Sequence, residues 1–468
     1  MYSESQLGEG LNFEIWEWLA VPIYLVILFF IAYNHQKGKI ETNTVYKYYT
    51  WGLIAKIGGG LFFGIIYNYY YQGGDTFSYF HGAVSMDKLL FQSPLGWFKN
   101  EFGSGGATNY SYFNDETGYP YVYMYNDMHT FAVIRFMNLI ILPAFNSYLL
   151  ATVIVAWFCY FGMWKMFLVF TKHYPNIQQG LAIGILFFPS VLFWGSGIMK
   201  DSITLSCTGW VTYSIYTLFI LKKKRLQYTI VLIFNLFLIL LVKPYIIFAL
   251  LPGTLMWIFS ERLYAIKNMA AKLIIIPVVI LVSAGGGFAV LKSFGGVMGK
   301  FSVDKVMETA VNTQRDLKQD HYKGHAFDIG LTDASPSGLL KKSPEALIAG
   351  IYRPFLWESV TVVMLLSGLE NTFILIITLY ILRYIKFIAI YRRIIREPLL
   401  FFSLTYSLFF AFMVGLTTAN FGALVRFKIA YLPFFISSLY IMYKGVLYVA
   451  PTDEEVIKST AFIFKLKK

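Results

Sequence analysis

The chain has 468 residues, of which 57% are hydrophobic, 19% aromatic and only 14% charged. Soluble domains run at about 45–50% apolar and about 25% charged, so this composition excludes an ordinary soluble protein and points to an integral membrane protein. The formal charge of +13 would suit nucleic acid, but basic excess is equally what the cytoplasmic loops of a polytopic protein carry.

Stretches of about 20 apolar residues can cross a bilayer. The first, 15–33, follows an acidic segment, MYSESQLGEGLNFEIWEWL, with no basic n-region or cleavage site, and is expected to be a retained helix rather than a signal peptide. Further stretches lie at 51–71, 146–170, 178–195, 201–221, 227–242, 245–260, 272–291, 359–382, 398–416 and 429–449. The expected fold is therefore all-α, a polytopic membrane helix bundle of about 11 transmembrane helices forming a single domain over 1–468.

Placing the N-terminus outside and the C-terminus in the cytoplasm sends NHQKGKIETNTVYK, TKHYPNIQQ, LKKKR, ERLYAIKNMAAK, RYIKFIAIYRRIIREP and the KLKK tail inward. Each carries a basic excess, as the positive-inside rule requires, so topology accounts for the charge without a nucleic-acid partner. Two long outer segments remain, 72–145 and 292–358. In the first, FSYFHGAVSMDKLLFQSPLGWF reads as an interfacial amphipathic helix and HTFAVIRFMNLIILPAF as a re-entrant one. The second, polar over 302–345, reads as an external loop domain or lid. Glycine triplets at 58–60 and 285–287 suggest close helix contacts. Cys159 and Cys207 both lie in apolar runs and offer neither a disulfide framework nor a zinc spacing.

Ionisable residues are expensive near the bilayer, which makes their positions informative. The outer helix ends read GGDTFSYF, MKDSIT, LVKPYI, YRPFLWES and NFGALVRFK. They place Lys200, Lys243, Arg353 and Arg426 on the side where cations are disfavoured. A lone cation at a helix end snorkels to headgroups. Convergence of several, beside backbone-breaking Pro and Gly, instead suggests a shared anionic site, with structural ion pairing as the competing reading. Arg and Lys are the side chains that hold phosphate or pyrophosphate. Asp201 opens a helix, where a carboxylate favours the positive dipole end, and is expected to cap that helix and pair with Lys200. Asp75, after two glycines, is either a turn residue or a general base. Tyr79, Trp194, Tyr245 and Trp357 lie beside the same motifs, as sugar-stacking platforms or as part of an interfacial aromatic belt. DHYKGHAFD at 320–328, with His321 and His325, and the pair Asp127 and His129 are weaker metal motifs. No nucleotide-binding, lipase-type or zinc-protease motif occurs.

Taken together, the outer-loop Asp, PSVLFWGSGIMKD, the KP and RP motifs and NFGALVR before the last helix resemble bacterial membrane glycosyltransferases. The nearest groups are the GT-C-fold enzymes and polysaccharide polymerases of the Wzy and EpsG kind. The resemblance implies sugar transfer from a polyprenyl-phosphate or polyprenyl-pyrophosphate carrier to a glycan or other hydroxyl acceptor, at the outer face of the cytoplasmic (inner) membrane. Asp75 would assist the acceptor, while Lys200, Lys243, Arg353 and Arg426 hold the lipid phosphate, and Asp201 and Asn420 give structural support. Asp75 follows the second helix and no paired acidic motif accompanies it, a departure that leaves the metal requirement open: no cofactor is assigned, and a divalent metal is the weaker option. The alternative is a transporter or flippase of lipid-linked glycans, with charges spread along a path through the membrane. A third reading is a membrane scaffold with ion-paired helix ends.

Overall fold

The computed structural model describes residues 10–260, 278, 327–330 and 336–447. Within them the protein is all-helical, with seven helices long and apolar enough to cross a membrane. The chain begins with α1 (Ile15–Ile40) and α2 (Tyr49–Tyr69), then α3 (Asp75–Gln92) and α4 (Pro94–Phe102) in the first long connection. There follow α5 (Met128–Ile141), α6 (Tyr148–His173), the short α7 (Gln178–Leu186) and α8 (Pro189–Trp194), and α9 (Lys200–Ile215). The chain continues through α10 (Arg225–Val242), α11 (Tyr245–Ile258), α12 (Ser343–Tyr352) and α13 (Val362–Tyr384). It ends with α14 (Phe387–Arg396), α15 (Pro398–Thr417), α16 (Phe421–Lys428) and α17 (Leu432–Leu447).

Seven of the expected stretches coincide with long apolar helices: α1, α2, α6, α9, α10, α13 and α15. An eighth span forms if α16 and the start of α17, bent by 65°, count as one. Three stretches account for the difference from eleven. The run 178–195 is broken, because Pro189 lacks a donor and disfavours helical backbone at Phe188, whose ψ is 125°. The run 245–260 yields α11, a 14-residue helix shorter than a span. Residues 272–291 apart from 278 lie outside the described residues, as do the 285–287 glycines, His321, His325, the KLKK tail and most of 292–335.

Burial separates a protein-facing centre from a lipid-facing rim. In α6 and α9, 67% and 72% of the apolar window is buried, against 17% in α1, 22% in α10 and 28% in α13. The two central helices touch through glycine. A Cβ on Gly209 would lie 2.2 Å from the Gly162 carbonyl oxygen, so only hydrogen allows this approach. Gly59 and Gly60, two of the 58–60 triplet, likewise admit the carbonyls of Leu192 and Ser196.

Candidate functional site

The site is assembled where α2 gives way to α3, α9 begins, α10 ends and α16 lies across them. Gln72, Gly73 and Gly74 carry the chain out of α2 with φ of 56°, 154° and 133°. The two glycine conformations suit residues without a Cβ, and a Cβ on Gly74 would also meet the Tyr67 ring at 2.7 Å. This turn sets Asp75 as the first residue of α3. On α16, Asn420 caps the helix by accepting from the backbone N–H groups of Gly422 at 2.9 Å and Ala423 at 3.2 Å. That start directs Arg426, nearly two turns later, back toward α9 and α3.

Four charges then alternate in a row. Lys243 Nζ donates to Asp201 Oδ1 at 2.5 Å, Arg426 Nε donates to Asp201 Oδ2 at 2.9 Å, and Arg426 Nη1 donates to Asp75 Oδ2 at 3.1 Å. Exposure rises along the row: the Asp201 side chain is 1% exposed, Arg426 18% and Asp75 46%. A buried carboxylate is costly unless both oxygens are satisfied by opposite charge, and here two cations from different helices do so. The row is formally neutral, with two carboxylates against two cations. Only its Asp75 end is open to exchange with solvent.

Tyrosines surround that open end. Tyr67 flanks Asp75, Asp201 and Arg426, and Tyr79 is buried beside the same three groups. Tyr123 shares a hydrogen bond with Ser78 and also lies near Asp75. Burial raises the hydroxyls of Tyr79 and Tyr123 above their ordinary range, with the negative charge of Asp75 adding to the effect. Both therefore remain neutral hydrogen-bonding groups near neutral pH. Tyr245 adjoins Lys243 at the row's other end.

The remaining candidates are placed differently. Asp201 does sit in the first turn of α9, but its partners are Lys243 and Arg426 rather than Lys200, and the helix cap is Met199, which has no side-chain cap bond. Lys200 reaches the other way and donates to Thr130 Oγ1 of α5 at 2.7 Å. Arg353 donates through Nε and Nη2 to Glu358 Oε1 at 2.9 and 2.6 Å, so its charge is matched locally. It also lies 4.9 Å above the Phe327 ring, which stacks on Phe421 at the head of α16. Trp194 is buried edge-on against Phe63 and Tyr67. Trp357 is 79% exposed and stacks on Phe355, away from the charged row. Asp127 caps α5 through the His129 N–H at 3.0 Å, while His129 Nδ1 meets the Leu241 carbonyl oxygen at 2.8 Å. Among the described residues no cluster of three or more His, Cys, Asp or Glu is arranged to hold a metal.

Three ionisable groups that the motifs did not single out, buried Lys56 and Lys428 and half-buried Glu370, hold the backbone around the site. Lys428 Nζ donates to the carbonyl oxygens of Ile351 at 2.9 Å and Arg353 at 2.5 Å, and to Asn371 Oδ1 at 3.2 Å. Glu370 accepts from both the N–H, at 2.9 Å, and the hydroxyl of Ser190 at the head of α8. Lys56 donates to the Gly195 carbonyl oxygen at the tail of α8. A carboxylate at the positive end and an ammonium at the negative end match the helix dipole. A signal was available in the sequence, since each lies inside an apolar run.

No family model, curated protein or solved structure matches this chain.

Proposed function

We propose that the protein is a membrane glycosyltransferase or polysaccharide polymerase, taking its sugar from a polyprenyl-phosphate or polyprenyl-pyrophosphate carrier at the outer face of the cytoplasmic membrane. The observation that carries this reading is the double attachment of Arg426, held through Nε by buried Asp201 and through Nη1 by half-exposed Asp75. One side of the guanidinium is fixed and the other is exchangeable. A phosphate oxygen competing for Nη1 would take the place of Asp75 on the same donor.

The exchange arms the base. Released from Arg426, the Asp75 carboxylate oxygen gives up its guanidinium donor and is free to accept from an acceptor hydroxyl. An acceptor hydroxyl oxygen then bonds to the anomeric carbon of the donor sugar. The bond from that carbon to the phosphate oxygen breaks, its electron pair leaves with the phosphate, and the hydroxyl proton passes to Asp75. Arg426, with Lys243 behind Asp201, stabilises the charge that develops on the departing phosphate. Lys200 and Arg353 serve this reading less directly, as flanking cations beside the site. The neutral tyrosines Tyr67, Tyr79 and Tyr123 offer rings and hydroxyls to sugar and acceptor.

The competing reading, transport of a lipid-linked glycan, needs exchangeable charges along the membrane interior. Lys56 and Lys428 do lie inside, but their ammonium groups are engaged with backbone carbonyls, which favours a bracing role. The test is the surface glycan of a deletion strain complemented with wild type or with Asp75→Asn. Wild type should restore glycan amount and chain length, and the variant, at equal abundance in the membrane, should not. Restoration by Asp75→Asn would overturn the assignment.

A further inference from the structure

At the end of the bundle opposite Asp75, four basic side chains from three chain segments converge. Lys39 Nζ lies 3.2 Å from His35 Nε2 on the last turns of α1. Lys165 of α6 has Lys39 and Lys224 as charged neighbours, and His35 has Lys39 and Lys165. The separation from the first site follows from α6 itself: Tyr148, at its start, bonds Thr76 beside Asp75. Lys165 lies 17 residues further along, about 26 Å at the rise of an α-helix.

Among the described residues no acidic side chain pairs with this group. Lys39, Lys165 and Lys224 take part in none of the ion pairs among the described residues. What meets them instead is aromatic. The Lys165 ammonium lies 5.3 Å from the Trp210 ring and 4.6 Å from that of Tyr213, and Lys39 lies 5.3 Å from Tyr46. Tyr46 in turn packs edge-on to Trp164, and Tyr213 leans on Tyr228. Lys165 stands eight residues before the end of α6, about 12 Å up the helix from its terminus. A lysine drawn that far between helices, with two further lysines and no paired acid among the described residues, leaves positive potential that an anion entering from the membrane surface would complete. Lysines present point charges suited to phosphate, and basic pockets between spanning helices near one surface are where lipid headgroups bind.

We propose that Lys39, Lys165 and Lys224, with His35 and the rings of Trp210 and Tyr213, form a second site that binds a phosphate group, either the headgroup of an anionic phospholipid or a free phosphate compound. This site is independent of the glycosyl-transfer reading and stands whether or not that reading holds.

Thermal melting of the purified full chain in neutral detergent tests it. Short-chain phosphatidylglycerol should raise the melting temperature in a saturable way, and phosphatidylcholine of the same chain length should not. In the triple variant Lys39→Gln, Lys165→Gln, Lys224→Gln the apparent affinity should fall at least tenfold. Inorganic pyrophosphate is the other arm: a saturable rise lost in the same variant identifies a free phosphate compound as sufficient, and no rise identifies the lipid headgroup as the source. Should the triple variant fail to fold, Lys165→Gln alone should weaken the response at least threefold while Lys165→Arg keeps it. An unchanged response in the folded charge-removed variant, or an equal response to phosphatidylcholine, overturns the proposal.

Discussion

Arg426 donates to Asp75 across 351 residues of sequence, at 3.1 Å, with the rest of its guanidinium anchored to Asp201. One arginine thus joins a carboxylate with almost no solvent access to one that is half exposed. The two acidic residues therefore differ in what their removal costs.

Asp201→Asn leaves Lys243 and Arg426 without their shared counter-charge, and breaking a buried pair in this way costs about 3–5 kcal/mol. Asp75→Asn disturbs a pair at a half-exposed carboxylate, where about 0–1 kcal/mol is at stake. Melting in detergent should show a large loss for Asp201→Asn and a small one for Asp75→Asn. Equal losses would mean that Asp75 is structural too.

Lys428 supplies the donor for two carbonyls at the end of α12. Lys428→Met keeps much of the volume but orphans those oxygens, at about 1–3 kcal/mol for each buried group left unsatisfied. The variant should melt earlier, and the Arg353–Glu358 segment should become more accessible to hydrogen exchange. Unchanged exchange there would count against Lys428 as its anchor.

Glu101, on α4 outside the spanning helices, has burial as the main cause raising its carboxyl from the ordinary 4.5 to about 7, with Arg135 opposing. Its Oε2 has no hydrogen-bond partner. A carboxyl raised on folding binds more protons in the folded state, so its contribution to stability is largest below pH 4.5 and declines as pH rises toward 7. Glu101→Gln should remove this decline and raise the melting temperature at pH 8 relative to wild type. An identical pH profile in the two proteins would contradict the assignment.

Gly209→Ala places a methyl against the Gly162 carbonyl across the α6–α9 contact. Such overpacking costs typically about 1–3 kcal/mol, and no flexible side chain is there to yield. A lowered melting temperature is expected for Gly209→Ala. Gly58→Ala, where nothing lies within 4 Å of the added Cβ, should leave stability unchanged or slightly raised.

Much of the helical frame was legible because a run of apolar residues registers wherever the helix finally packs. The broken run at 178–195 was legible in principle, since Pro189 stands in its middle. The charged row was half legible. MKD, KPY and NFGALVR stood out because each sets a cation against apolar neighbours, and Asp201, Lys243 and Arg426 do meet. Their pairing was not: Lys200 and Asp201 are consecutive on a helix, so their side chains leave about 100° apart and cannot share one face. Arg353 and Trp357 stand near helix ends like the others, but a position in the chain does not say which side chain will supply the partner. What separates the two arginines is their partners: Arg353 is matched by Glu358 five residues on, and Arg426 by two aspartates from other helices.

The bracing of α8 has a consequence for how the chain is made. Its six residues cannot cross a bilayer, and its first backbone donor and last acceptor are satisfied by Glu370, 180 residues later, and Lys56, 139 residues earlier. During synthesis the segment from Pro189 to Gly195 thus emerges with one brace already in place and the other not yet translated. It must wait, shielded by the insertion machinery or by neighbouring helices, until α13 arrives. Truncation before residue 370 should therefore yield a chain whose earlier helices insert but whose α8 stays open to protease. The polar contact between Ser190 and Glu370 can then close only after α13 has been made.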